Sequence, residues 1–272
     1  MTDILEEIVA HKRIEVEQAK ARLSERDIHT QVEQLIDRSQ VLPPSMSEAV
    51  RKSDTGIIAE FKRKSPSKGW IKEDGRADAI PLAYQQHGAA ALSILTDSSY
   101  FGGSDSFITT ARKSGVTLPI LYKNFIVDEY QLFQARLCGA SAVLLIAADL
   151  KPAECRQLAA TAHELQMEVL LEMHSERETD YIDLIDTNRD LCGVNNRNLG
   201  TFITDVANSF ALAPRLPREA CKVSESGIAD PQKVKALRMA GYSGFLIGET
   251  FMKTTNPGET LATFIKNIKE EI

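Results

Sequence analysis

Short β-branched or aliphatic runs, each followed by an amphipathic stretch, recur along this 272-residue chain at intervals of roughly 22 to 35 residues. Eight runs keep the beat: 56–62, 91–96, 119–123, 142–146, 168–172, 192–195, 222–225 and 244–248. Because each is almost continuously apolar, it reads as a strand covered on both faces, and so as part of a parallel sheet under helices. Gly88, Gly115, Gly139 and Gly241 each fall between an amphipathic stretch and the next run, where a left-handed helix end favours glycine. A strand-loop-helix-glycine unit repeated eight times with right-handed crossovers predicts an α/β fold, a closed (β/α)8 TIM barrel. The competing arrangement, an open doubly wound sheet, usually has fewer strands.

Residues 1–45 stand outside the beat. Ile4, Leu5, Ile8, Ile14 and Val16 mark one amphipathic helix, Val32, Leu35 and Ile36 a second, and Leu42-Pro43-Pro44 ends the pattern. We expect an N-terminal helical extension over 1–45, either capping the barrel or forming a lid over its site, and a catalytic barrel over 46–272. With 32 Lys and Arg against 38 Asp and Glu, a net charge of −6 and no basic stripe, general binding to nucleic acid or to an anionic membrane is not expected. The longest apolar stretch, 142–148, is far short of the roughly 20 residues that span a bilayer. The chain opens on charged residues with no export signal, and Cys138, Cys155, Cys192 and Cys221 form no CxxC pair. The expectation is a cytoplasmic protein with reduced, packing cysteines, a monomer or weak homodimer, acting on a small molecule.

In such a barrel the chemistry sits at the C-terminal strand ends. There the chain places Glu60 and Lys62, Asp97, Lys123, Glu172, Asn195 and Arg197, Glu225 and Ser226, and Gly248-Glu249, while strand 4 stays apolar. A side-chain period of two sends Glu60 and Lys62 to one face, and likewise Asn195 and Arg197. Lone buried charges are costly, so opposite charges converging on one pocket are the economical arrangement, and such pockets shift pKa values. A second signal is anionic. The turns 224–228 and 246–250 supply Ser226, Gly227, Gly248 and Glu249 with free backbone N–H groups, and Ser65 and Lys68 add a hydroxyl and a cation across the rim. The competing reading is two ordinary glycine-containing turns. Phe101, Phe125, Leu144 and Leu199 wall an aromatic slot, or else are plain packing. The histidines lack metal-ligand spacing; His174, in step with Glu172, either orients a neighbour or takes a direct part. No GxSxG elbow or Cys/His pair points to acyl transfer. Lysine and carboxylate acid–base catalysis on a phosphorylated substrate suits these residues. So do a Schiff-base aldolase and a barrel that only binds phosphosugars.

The block Glu60-Phe61-Lys62-Arg63-Lys64-Ser65-Pro66-Ser67 resembles the E-x-K-x-x-S-P-S signature of the indole-3-glycerol phosphate synthase family. Tyr122-Lys123-Asn124-Phe125, Leu171-Glu172-Met173-His174, Gly193-Val194-Asn195-Asn196-Arg197-Asn198-Leu199 and Ser224-Glu225-Ser226-Gly227-Ile228 match in order, and the resemblance runs over nearly the whole chain. It implies a barrel with an N-terminal helical extension that converts 1-(2-carboxyphenylamino)-1-deoxyribulose 5-phosphate to indole-3-glycerol phosphate, CO2 and water, with no cofactor or metal. It implies Lys123 as general acid, Glu172 in acid–base work, and Lys62 at the substrate carboxylate and in dehydration. Glu60 and Asn195 would hold lysines and hydroxyls, with Arg197 and Glu225 as supporting pocket residues. Ser65, Ser226, Gly227, Gly248 and Glu249 would cradle the phosphate, the last two through backbone N–H groups. Asn124 and Ser141 depart from the family's usual aspartates. Burial and a second ammonium are expected to bring the Lys123 pKa toward neutrality.

Overall fold

The structure, a computed structural model, describes residues 4–39, 42–198 and 200–270. Eight parallel strands close in chain order: β1 (Ile57–Phe61), β2 (Ala91–Leu95), β3 (Ile120–Lys123), β4 (Ala142–Ile146), β5 (Glu168–Met173), β6 (Leu191–Asn195), β7 (Cys221–Glu225) and β8 (Gly244–Ile247), with β8 paired back to β1. The expected barrel is therefore present, and each run forms its strand. Alternation within the strands splits the core in two. Ile57, Phe61, Ile94, Tyr122 and Val169 pack outward under the helices. Ile58, Leu121, Leu144, Leu170, Leu191, Val223 and Leu246 fill the barrel interior. Both faces are buried, so the strands read as continuous apolar runs.

The crossovers carry the helices that the beat predicts, with one exception. Between β5 and β6 the chain forms a 3₁₀ segment, Glu176–Leu184. Ile182 is the one residue of that segment to become fully buried, so there is no apolar stripe to seat a longer helix. Gly88, Gly115, Gly139 and Gly241 all adopt positive φ, as helix-ending glycines should. The four cysteines are buried and unpaired. Among the described residues no helix is long and apolar enough to cross a membrane.

Before the barrel come α1 (Ile4–Arg22), α2 (Glu25–Arg38) and α3 (Met46–Lys52). Val16 of α1 and Ile28 of α2 pack with Tyr130 of the outer helix α4 (Tyr130–Cys138). The apolar stripe of α1 is not quite the expected one. Its buried positions are Leu5, Ile8, Lys12 and Val16, spaced by three or four, whereas Ile14 falls on the opposite side and is 56% exposed. A lysine thus occupies a core-facing position of this helix.

At the other end of the barrel α3 acts as a plug, its Met46 and Val50 packing on the interior residues Ile58, Ala91 and Cys221. Glu168, at the start of β5, secures it. Its carboxylate accepts from the Met46 and Ser47 amides, both at 2.8 Å, and from the Ser47 hydroxyl at 3.1 Å. These amides would otherwise be unsatisfied at a helix N-terminus, and the negative charge complements the helix dipole. Glu168→Ala is expected to lower the unfolding free energy by about 3 kcal/mol, read from urea unfolding. The opposite mouth of the barrel should be unchanged.

Candidate active site

The C-terminal mouth opens into a cavity of about 560 Å³. Its floor is one interior layer of the barrel. The alternate strands β1, β3, β5 and β7 each contribute one inward side chain to it: Glu60, Lys123, Glu172 and Glu225. Layers of four from alternate strands are the usual filling of such a barrel, and aliphatic residues normally supply them. Here all four are ionisable. Two intervening positions leave them space. A Cβ on Gly193 would stand 2.5 Å from Glu225 Oε1, and one on Gly248 would stand 2.4 Å from Glu60 Oε1.

Lys123 Nζ lies 3.0 Å from Glu172 Oε2 and 2.5 Å from Glu225 Oε2. Lys62 Nζ lies 2.6 Å from Glu60 Oε1. Asn195 donates a side-chain hydrogen bond to Glu172 and accepts from the Arg197 amide at 3.0 Å. His174 Nε2 lies 3.3 Å from Glu172 Oε1, and its ring reaches Glu178 at 3.5 Å. His174 flanks Glu172 from outside the cavity, a neighbour of the carboxylate and not part of the lining.

These contacts set the proton affinities. Burial alone would lower the Lys123 pKa, but Glu172, Glu225 and Glu60 outweigh it and raise the value well above that of an ordinary lysine. The expectation of a lysine near neutrality is therefore wrong, because three carboxylates face this ammonium. Burial raises the Glu172 pKa, yet Lys123, His174 and the Asn195 hydrogen bond reverse that and hold the carboxyl well below its usual range. Burial and the neighbouring Glu172 push Glu225 up to about 7, against the pull of Lys123. Glu225 Oε1 is buried without a hydrogen-bond partner. The two carboxyls share one ammonium and titrate as a pair.

The far lip gathers groups able to hold an anion. Ser65 is 2% exposed, and its Oγ has no hydrogen-bond partner. Ser226 and Gly227 both have positive φ, which turns successive N–H groups to one side. For Ser226 this is a strained conformation, of a kind found where a backbone serves a ligand. Gly248 and Glu249 open a short helix, α5 (Glu249–Met252), beside them. Arg197 ties the lip together, donating to Thr204 Oγ1 and Ser67 Oγ, each at 3.1 Å, with Glu249 at 3.8 Å. On the apolar side Phe101 and Phe125 stand 6.1 Å apart, ring centre to ring centre, with Leu144 below.

With the exception of Asp97, every described residue expected at the mouth lines this cavity: Glu60, Lys62, Ser65, Lys68, Phe101, Lys123, Phe125, Leu144, Glu172, Asn195, Arg197, Glu225, Ser226, Gly227, Gly248 and Glu249. Leu199 lies outside the described residues. Asp97, though a strand-end carboxylate, is fully buried and does not face the cavity. Leu95, Ile146 and Leu246 also line the wall and were not anticipated, although their strand parity matches that of the interior residues. Ser67, Phe202, Thr204 and Lys253 sit on rim loops, which strand periodicity cannot reach.

The family model described as indole-3-glycerol phosphate synthase matches residues 5–264. The chain belongs to the indole-3-glycerol phosphate synthase family. It is 56% identical over 271 residues to the indole-3-glycerol phosphate synthase of Bacteroides thetaiotaomicron, covering 99% of this chain and 100% of that one. It is 42% identical over 266 residues to that of Acidithiobacillus ferrooxidans, covering 96% and 98%. The solved structure of a variant tryptophan synthase alpha-subunit from Pyrococcus furiosus shares the barrel, with a TM-score of 0.60 at 13% identity, covering 80% of this chain and 99% of that one.

The two departures from the pattern of the indole-3-glycerol phosphate synthase family are accommodated locally. Asn124 Nδ2 donates to Thr96 Oγ1 at 2.8 Å and to Tyr122 Oη at 3.3 Å, bonds that an aspartate could not donate, and Oδ1 accepts the Phe125 amide at 2.9 Å. The turn between Lys123 and Phe125 is thus pinned by an amide. Ser141 Oγ accepts from Arg112 Nη2 at 3.2 Å and lies far from the cavity lining.

The raised Glu225 pKa has a consequence for stability. Unfolded chains ionise this carboxyl near its ordinary value of 4.5, while the folded protein holds the proton up to about 7. Between those values the folded state binds more protons, so stability contributed by Glu225 falls as pH rises through this window. Glu225→Gln removes that slope. The urea midpoint of Glu225→Gln relative to the wild type should rise from pH 5 to pH 8.

Proposed function

We propose that the chain closes, decarboxylates and dehydrates 1-(2-carboxyphenylamino)-1-deoxyribulose 5-phosphate to indole-3-glycerol phosphate, CO2 and water. The reading rests chiefly on one observation: the Lys123–Glu172–Glu225 cluster and the anion lip face each other across a single cavity, in a member of this family. The phosphate sits on Ser65, Ser226, Gly227 and the N–H groups of Gly248 and Glu249. The benzene ring lies in the slot of Phe101, Phe125 and Leu144, and Lys62 takes its carboxylate.

In this pose the Lys123 ammonium donates its proton to the ribulose carbonyl oxygen as the ring carbon attacks. A lysine held charged by its carboxylates is preorganised to meet the negative charge that develops on that oxygen. Loss of CO2 then leaves a hydroxyl-bearing ring. Lys62 protonates the departing hydroxyl, which leaves as water, and the low-pKa Glu172 accepts the ring proton. Glu60 holds Lys62, Asn195 holds Glu172, and Arg197 steadies the lip. The phosphate anchor supplies binding energy away from the reacting carbons, which helps to hold the ring-closing conformer.

A Schiff-base aldolase is disfavoured, because it needs a neutral amine and Lys123 is kept protonated. The carboxylates of the floor are engaged by lysines, so the reading includes no metal or cofactor. It extends to a cytoplasmic enzyme, a monomer or weak homodimer, acting on a small molecule.

The test is to supply the carboxyphenylamino substrate to chelator-treated protein and follow indole fluorescence. Turnover unaffected by EDTA is expected, with no covalent trapping by borohydride. Lys123→Ala and Glu172→Gln should each lower kcat by at least about 10²-fold with the fold retained. Full turnover in both variants would remove this assignment.

A further inference from the structure

We propose that Lys12 of α1 is a positioning residue for this reaction: through Asp97 it holds the loop that carries Phe101, so that the aromatic slot exists only while α1 is docked. The inference rests on the function proposed above and deepens it.

Lys12 sits on the buried stripe of α1, between Ile8 and Val16, and is 3% exposed. A charge on such a stripe persists only when paired. Its Nζ lies 2.7 Å from Asp97 Oδ2 and 2.5 Å from Glu15 Oε2. Asp97, just past the end of β2, is itself fully buried. Its other oxygen, Oδ1, accepts the Tyr100 amide at 2.7 Å and the Phe101 amide at 3.2 Å. One carboxylate therefore grips the helix with one oxygen and the loop with the other.

The same helix and loop meet at further points. Tyr100 Oη donates to Glu7 Oε1, Ser99 Oγ donates to Glu15 Oε1, and His11 Nε2 lies against Ser99 Oγ, each at 3.0 Å. The loop is tight behind Phe101: the Gly103 amide donates to the Asp97 carbonyl at 2.6 Å, and a Cβ on Gly103 would stand 2.3 Å from the Leu95 carbonyl. Phe101 thus has little freedom except through Asp97. The first turns of α1 also reach the cavity, where Leu5 and Ile8 join Phe101 and Phe125 in the lining. Helix α1 builds the slot twice over, directly with the apolar side chains Ile4, Leu5 and Ile8 and indirectly through Lys12. The anion lip draws on the loops after β6, β7 and β8 and on the loop after β1, which meets the Phe101 loop where Lys64 Nζ donates to the Ser99 carbonyl at 3.2 Å. Ser226, Gly227, Gly248 and Glu249 stand on the β7 and β8 loops, so phosphate binding there can be read apart from the slot.

The decisive variant is Lys12→Met. KM is expected to rise by about 10-fold or more, with kcat within about 3-fold of wild type. Inhibition by an N-substituted anthranilate should weaken in parallel while inhibition by inorganic phosphate stays constant, and Lys12→Arg should restore the wild-type values. In hydrogen exchange followed by mass spectrometry, segments 98–103 and 4–9 should lose protection in Lys12→Met. Should Lys12→Met fail to fold, Asp97→Asn serves in its place, since it keeps an acceptor for the loop amides and removes the ion pair. Unchanged KM with retained protection would overturn the proposal. Equal weakening of anthranilate and phosphate inhibition would overturn it too, as the mark of general loosening. If the wild type itself does not turn over the substrate, the proposed function falls, and the exchange data alone decide the role of Lys12 in holding the loop.

Discussion

One ammonium, Lys123, sits between two buried carboxylates, Glu172 and Glu225, and most of the polar architecture follows from that placement. A buried ion pair replaces the hydration of its charges only with close geometry and further hydrogen bonds, and it is often no more stable than an apolar filling of the same space. Two acids facing one base cannot all hold full charge without further help. The protein resolves this by dividing the acids: Asn195 and His174 support Glu172 as an anion, while Glu225 keeps a proton to a higher pH. Charge of this kind in a barrel interior has a chemical use and little structural one.

The barrel makes that cluster possible at modest cost to the fold. An interior layer is assembled from alternate strands, so residues more than 160 positions apart, Glu60 and Glu225, become neighbours of the same lysine. The layers beneath are mostly aliphatic, with the buried Ser93 of β2 among them, and α3 seals the far mouth with Met46 and Val50. Stability and chemistry are thereby assigned to opposite ends of one cylinder. Of the N-terminal helices, α1 stands at the mouth that holds the cluster. It reaches the cavity with Leu5 and Ile8, which makes it a wall of the site and more than an appendage.

Much of this was legible beforehand. The apolar runs announced eight strands because both faces of each are covered, and the strand-end residues Glu60, Lys62, Lys123, Glu172, Asn195 and Glu225 stood out as polar where the runs stopped. The side of α1 that faces the core was misread at Ile14, since an apolar stripe was sought and the buried position belongs to Lys12. Asp97 looked like its fellow strand-end acids. It turned inward to the helix instead, and nothing local distinguishes a carboxylate bound to a lysine 85 positions earlier from one facing a cavity.

The order of elements, the parity of side chains along each strand and the chemical types at the mouth are local properties, fixed by a period of two in strands and by the preference of glycine for helix ends. These were therefore enough to predict the barrel and its polar rim, and the resemblance of the motif blocks pointed to the family. The proton affinities of Lys123 and Glu225, the joining of Lys12 to Asp97 and the contribution of α1 to the cavity were decided only by the tertiary structure. Each depends on which groups meet across the closed sheet and how far water is excluded between them, and electrostatic energy is set by those distances and that burial, whatever the separation along the chain.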